Sequence, residues 1–169
     1  AGDRLPLSPA AQSVVRITGN AYACGQGRTG TGFAVAEDRI ITNAHVVAGV
    51  TRPVIEAPNG QVLIGEVVYF DSDNDVAIIA VTGLEVNALR PVAGERTAVK
   101  TKIVAYPHGG PITANAAKIQ SNLYYSTPNI YDDGKSPRLI YTLAGDAQPG
   151  SSGAPVLNPD GRYLGMVFA

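Results

Sequence analysis

The stretch Gly30-Thr31-Gly32-Phe33-Ala34-Val35-Ala36-Glu37-Asp38-Arg39-Ile40-Ile41-Thr42-Asn43-Ala44-His45-Val46-Val47 decides how the chain folds. Residues 31–36 and 39–42 are short runs suited to strands, and the acidic pair between them suits a tight turn, so a hairpin is expected. His45 follows the second strand, at the start of roughly one helical turn. It is thereby mounted on a rigid strand end yet close to the surface. A lone histidine is most often packed or simply solvated, so its meaning depends on what the rest of the chain brings beside it.

Outward from the hairpin the chain continues as short strands. Residues 13–18 come first, followed by a glycine-rich loop over 19–30 that holds Cys24, the single cysteine. Residues 53–57 and 61–70 come after, joined by Pro58-Asn59-Gly60, a hairpin signal. Then Asp71-Ser72-Asp73-Asn74-Asp75 leads into the apolar run 76–81. Asp71 and Asp73 read as turn residues that accept hydrogen bonds from their own backbone. Asp75 touches the apolar run and is expected to be half-buried, where a carboxylate needs donors such as an imidazole N–H. A connector over 83–94 leads to strands at 98–106, 112–122, 137–143, 154–157 and 162–168. His108, in Pro107-His108-Gly109-Gly110-Pro111, reads as a solvated loop residue.

Within this second series, Pro149-Gly150-Ser151-Ser152-Gly153-Ala154-Pro155 brackets two hydroxyls with glycines. A nucleophilic serine needs such a setting: its Oγ must project from a tight turn while backbone N–H groups converge on one spot. Composition agrees with an all-β chain of many loops. Hydrophobic residues make up 45% of the 169, which is enough for a core, while 19 glycines, 12 prolines and only 16% charged residues disfavour long helices. A net charge of −1 without basic runs gives no surface for nucleic acid. No apolar run is long enough to span a bilayer. Two histidines and one thiol make a zinc site or other metal centre unexpected, and no cofactor is called for. The opening Ala1-Gly2-Asp3, without an initiator Met, reads as a processed or artificially cut boundary.

Three segments together carry a resemblance. G-T-G-F-A-V-A…I-T-N-A-H-V-V resembles the histidine segment of trypsin-like serine proteases, N-D-V-A-I-I resembles the segment with their acidic residue, and G-x-S-G-x-P resembles their nucleophile loop. The order His45, Asp75, Ser152 is that of the chymotrypsin fold, whereas α/β-hydrolases run Ser, Asp, His and subtilisins Asp, His, Ser. The resemblance runs from Val14 to the last residue and is nearest to the HtrA-like branch. Through V-R-I-x-G, C-G-x-G, T-N-A-H-V-V-A-G-V and Y-L-G-M-V-F-A it resembles, more narrowly, the periplasmic domains of membrane-anchored acid-resistance proteases of mycobacteria.

The resemblance implies an all-β, chymotrypsin-like double β-barrel: an arm over 1–12, a first barrel over 13–93 with His45 and Asp75, and a second over 94–169 with Ser152. It implies a serine endopeptidase acting on protein or peptide substrates, with Ser152 as nucleophile, His45 as base, Asp75 as its orienting partner, and the N–H groups of Gly150 and Ser152 as oxyanion hole. Asp146, Ala147 and Phe168 would line the substrate pocket. Asp146 there would favour Arg or Lys, although it could equally cap a turn, and HtrA-like enzymes often take small apolar residues. An extracytoplasmic location and a membrane-tethered parent protein are further implications. In the family another strand and a helix follow the one at 162–168, so the second barrel is expected to be incomplete at the C-terminus. Its open edge could then pair with another chain, and the partner of Cys24 would lie elsewhere.

Two positions depart from the family. Ser151 stands where trypsin-type zymogens carry an Asp that pairs with a freed N-terminus, so activation by that route is not expected. Ala154 stands where many relatives have Gly. Alternatives to a peptidase are a pseudoprotease or peptide-binding module, and an esterase using the same residues.

Overall fold

A computed structural model of the chain describes residues 8–21, 26–92, 100–128, 135–144 and 150–167. After a 3-10 turn, Ala10–Ser13, seven strands form one antiparallel sheet: β1 (Val14–Ala21), β2 (Gln26–Ala36), β3 (Arg39–Thr42), β4 (Val54–Glu56), β5 (Val62–Ile64), β6 (Glu66–Asp71) and β7 (Val76–Ala80). Their spatial order is β5-β4-β1-β2-β3-β7-β6. A second antiparallel sheet holds β8 (Lys100–Ala105), β9 (Thr113–Pro128), β10 (Lys135–Ala144), β11 (Pro155–Leu157) and β12 (Tyr163–Met166), in the order β10-β9-β8-β11-β12.

The deciding hairpin forms as its pattern indicates: Phe33 faces Ile41 and Ala34 faces Ile40 across β2 and β3. Asp38 turns it in the left-handed region, φ 55, which Asp tolerates better than most residues. Two expectations need correction. Residues 61–70 break into two strands at Gly65, where any side chain would run into Ile79, although the Gly65 N–H still continues the β4–β5 register by donating to the Pro53 carbonyl at 2.8 Å. That break sends β5 to one end of the sheet and β6 to the other. The two edges are thus consecutive in the chain, and the sheet curls back toward itself as a barrel does. The glycine-rich stretch 19–30 is also largely strand, since β1 and β2 stay in register out to Ala21 opposite Gln26. Ladder hydrogen bonds there outweigh the weak strand preference of glycine. Cys24 lies outside the described residues.

The two-residue period of a strand divides the side chains of β2 between two cores. Ala34 joins Val15, Ile17, Ile40, Ile55 and Ile79 inside the first sheet. Phe33 turns the other way, into a cluster with Val14, Leu89, Val104, Tyr106 and Leu157. That cluster draws on both sheets and is therefore the seam between them. Phe33 meets the Tyr163 ring at 5.0 Å between centroids. Burying one such side chain stabilises the joined sheets by roughly 1.5–3 kcal/mol.

The outer edge of β12 is not bare along its whole length. The connector lies against its start, with Tyr163 donating to the Arg90 carbonyl at 3.0 Å and accepting from Val92 N–H at 2.9 Å.

Candidate active site

β3 and β7 are neighbours, with Thr42 opposite Ala77. His45 comes just after β3, in the 3-10 turn Ala44–Val46, and Asp75 comes just before β7, so strand register alone brings the two residues together. Asp75 Oδ2 is 2.7 Å from His45 Nδ1, and Oδ1 accepts the backbone N–H of the same histidine at 2.8 Å. Asp75 is 5% exposed, more deeply placed than its sequence position indicated, and the two donors offset the cost of burying its charge. Its backbone is left-handed at φ 55. The turn leading to it is tied by Asp71, whose carboxylate accepts from the N–H groups of Asp73 and Asn74. Hydrogen bonds from Asn74, side chain first and then backbone, hold the Asp71 carboxyl below its ordinary range.

A carboxylate can only accept, so in the neutral ring the proton sits on Nδ1 and Nε2 keeps a lone pair. Among the described residues, nothing hydrogen-bonds to Nε2, and the His45 side chain is 36% exposed. An imidazole held in one tautomer with its other nitrogen open is a base ready to accept a proton.

The loop of Ser152 reaches this turn from the second sheet. Gly30, on β2, separates them: a Cβ built there would come 2.6 Å from Val46 and 3.3 Å from the Ser152 carbonyl oxygen. Of the two hydroxyl residues, Ser151 is buried at 5% exposure while Ser152 is partly exposed. Both flanking glycines are required by the backbone, with φ of +92 at Gly150 and +90 at Gly153. A side chain on Gly150 would also come 2.7 Å from the His108 nitrogen and the Tyr106 carbonyl, and one on Gly153 would overlap the Thr31 carbonyl. Among the described residues no hydrogen bond joins Ser152 to His45. His108 is exposed in its own turn.

Asp146, Ala147 and Phe168 lie outside the described residues. Three residues that sequence reading passed over do touch the site. Asn43, fully buried, donates Nδ2 to the Asp75 carbonyl at 3.0 Å, and its own Oδ1 has no partner among the described residues. Arg28 donates to the His45 carbonyl at 2.8 Å. Thr31 contacts the Ser152 loop through both its backbone and its hydroxyl. Asn43 stands in the quoted stretch beside His45. Nothing local marks the other two, since each acts on a residue distant in sequence. Among the described residues no group of three or more His, Cys, Asp or Glu side chains could hold a metal ion, and no helix is long and apolar enough to cross a membrane.

Two antiparallel sheets packed along an apolar seam, with a histidine–aspartate pair on one and a glycine-flanked serine loop on the other, define the architecture of the chymotrypsin-like hydrolases. Residues 30–166 match the family model of the trypsin-like peptidase domain. The serine protease Rv3671c of Mycobacterium tuberculosis is 38% identical over 161 residues, covering 92% of this chain and 40% of that protein. A crystal structure of that protease in an active form superposes with a TM-score of 0.91 at 37% identity, over 95% of this chain and 71% of that one. An enzyme of Halomonas elongata whose name describes a DegP-like periplasmic serine endoprotease is 28% identical, over 98% of this chain and 32% of its own length. The chain therefore spans well under half of the curated proteins it matches. It belongs to the trypsin-like peptidase domain family and has the double-barrel fold of its HtrA-like members.

Proposed function

We propose that the chain is the catalytic domain of a serine endopeptidase. The observation that carries the reading is the doubly bonded His45–Asp75 pair, together with the Ser152 loop that abuts the histidine turn across Gly30. In this reading Ser152 Oγ attacks the carbonyl carbon of a peptide bond and His45 Nε2 takes its proton. Asp75 holds the ring in the competent tautomer and stabilises the imidazolium that forms. The N–H groups of Gly150 and Ser152 receive the negative charge on the carbonyl oxygen, and each such donor contributes about 100- to 1000-fold in rate. His45 then returns the proton to the leaving amine, and water repeats the sequence on the acyl-enzyme.

The parent protein is proposed to work outside the cytoplasm, a reading supported by the periplasmic relative. Its tethering to a membrane rests on family resemblance. Preference for Arg or Lys before the scissile bond would follow from Asp146 and is read by a positional peptide library.

The test is covalent labelling with a fluorophosphonate, followed by mapping of the modified residue. Label is expected on Ser152, and Ser152→Ala is expected to abolish peptide cleavage while the melting temperature holds. Label on Ser151, or cleavage persisting in Ser152→Ala, overturns the reading.

A further inference from the structure

Thr31 is fully buried on β2 of the first sheet, and every one of its polar atoms is committed. Its N–H donates to the Ser152 carbonyl at 2.9 Å. Its hydroxyl donates to the Gly150 carbonyl at 2.8 Å and accepts the Tyr106 N–H at 3.1 Å. Its own carbonyl accepts from the Thr42 hydroxyl at 2.7 Å. A hydroxyl has one proton to give. With the Tyr106 N–H on one lone pair, that proton is aimed at Gly150.

The consequence lies in the peptide planes of the Ser152 loop. The Ser151 carbonyl is also occupied, accepting from Ala154 N–H at 2.9 Å. Three successive carbonyls, at 150, 151 and 152, are thus bound to donors inside the protein, and Thr31 supplies two of the three. A planar trans peptide directs its N–H opposite to its C=O. The Ser151 carbonyl, held by Ala154, shares its plane with the Ser152 N–H and so turns that donor outward, while Thr31 fixes the peptide planes on either side of it through the Gly150 and Ser152 carbonyls. Released, the Gly150 carbonyl could turn, because a glycine at positive φ offers little steric resistance to a change of backbone state.

We propose that Thr31 is a positioning residue for the Ser152 loop, whose hydroxyl keeps the Gly150 carbonyl out of the oxyanion site. The proposal rests on the reading of Ser152 as nucleophile. Because Thr31 belongs to one sheet and the loop to the other, it also makes the catalytic geometry depend on the seam between them.

The test compares turnover of a peptide per active site, with sites counted by fluorophosphonate labelling carried to completion. Thr31→Val keeps the shape and the backbone bond but leaves the Gly150 carbonyl without its donor. It is expected to lower kcat about 10- to 100-fold, less than the loss of a whole oxyanion donor, with KM changed by less than about threefold. Thr31→Ser should restore kcat. Thr101→Val is the matched control, since Thr101 is buried and its hydroxyl donates to the Ala117 carbonyl at the same 2.8 Å, away from the site. It should lower the melting temperature without lowering kcat per site. Equal kcat in Thr31→Val and the parent chain, or failure of Thr31→Ser to restore it, overturns the proposal. If Thr31→Val does not fold, Thr31→Cys, a weak donor, takes its place, and if neither folds, Thr31 supports the fold rather than the loop and the proposal is wrong. Ser152→Ala separates the two readings. If it retains cleavage, the nucleophile is misassigned. If it is silent while Thr31→Val turns over normally, only the role of Thr31 falls.

Discussion

The two halves of the candidate site are held by different physics. His45 and Asp75 are joined inside one sheet, by the register of β3 against β7 and by two hydrogen bonds to a buried carboxylate. The Ser152 loop is held by backbone shape, two glycines at positive φ, and by bonds from Thr31 across the seam. The first half is a property of one sheet. The second exists only when the two sheets are docked. Disturbing the pair should therefore remove chemistry and leave the fold, whereas disturbing the loop should cost both.

The largest effect expected is on the pair. Asp75→Asn keeps a residue that tolerates the left-handed backbone but offers an amide N–H where the ring needs an acceptor. Peptide cleavage, as kcat/KM, should fall about 10⁴-fold with the far-ultraviolet circular dichroism spectrum unchanged. Loss of the folded spectrum would mean that the pair holds the sheet together as well.

Next comes Gly153→Ala, which asks a Cβ to occupy both an unfavourable φ and the space of the Thr31 carbonyl. It should destabilise the chain by about 3 kcal/mol or more and abolish cleavage, measured by denaturant unfolding and turnover together. An unchanged unfolding midpoint would show that the loop is less tightly docked than its contacts indicate.

The smallest effect sharpens the seam. Burial pushes the Tyr106 hydroxyl up to about 12, with Arg16 lowering it and Glu56 raising it in smaller measure. The hydroxyl donates to the Val14 carbonyl at 3.0 Å, joining the second sheet to the first. Its folded value lies above the ordinary 10.0, so the unfolded chain ionises first. The associated stability is fully present below pH 10 and is lost as pH rises toward 12, by roughly 2–3 kcal/mol in all. Tyr106→Phe should remove that alkaline step while costing about 1 kcal/mol at neutral pH for the lost hydrogen bond. An unaltered alkaline profile would assign the step to another group.

Much of this protein was legible in its residues taken in order. Alternation and turn chemistry announced the hairpin of β2 and β3 and the Asn59-Gly60 turn between β4 and β5, because both signals are local. Residue types singled out His45, Asp75 and Ser152, because few other environments call for a histidine after a strand, an acid beside an apolar run and a serine between glycines. Strand ends were less legible. Gly65 looked like an ordinary residue in a strand until Ile79 and Pro53 were seen to surround it, and the glycines at 19 and 27 looked like a loop until β1 and β2 were paired. Local composition reports preference, whereas pairing partners decide the outcome, and those lie far along the chain.

The same divide runs through the site. The sequence by itself singled out the candidate side chains for the chemistry and, through their order, the family of folds that mounts them. Only the tertiary structure decided that Asp75 grips His45 at two points, that Ser152 rather than Ser151 is the accessible hydroxyl, and that Thr31 ties down the loop. Each is a matter of direction and burial between residues 30 to 121 positions apart, set by how two sheets pack and not by any local preference.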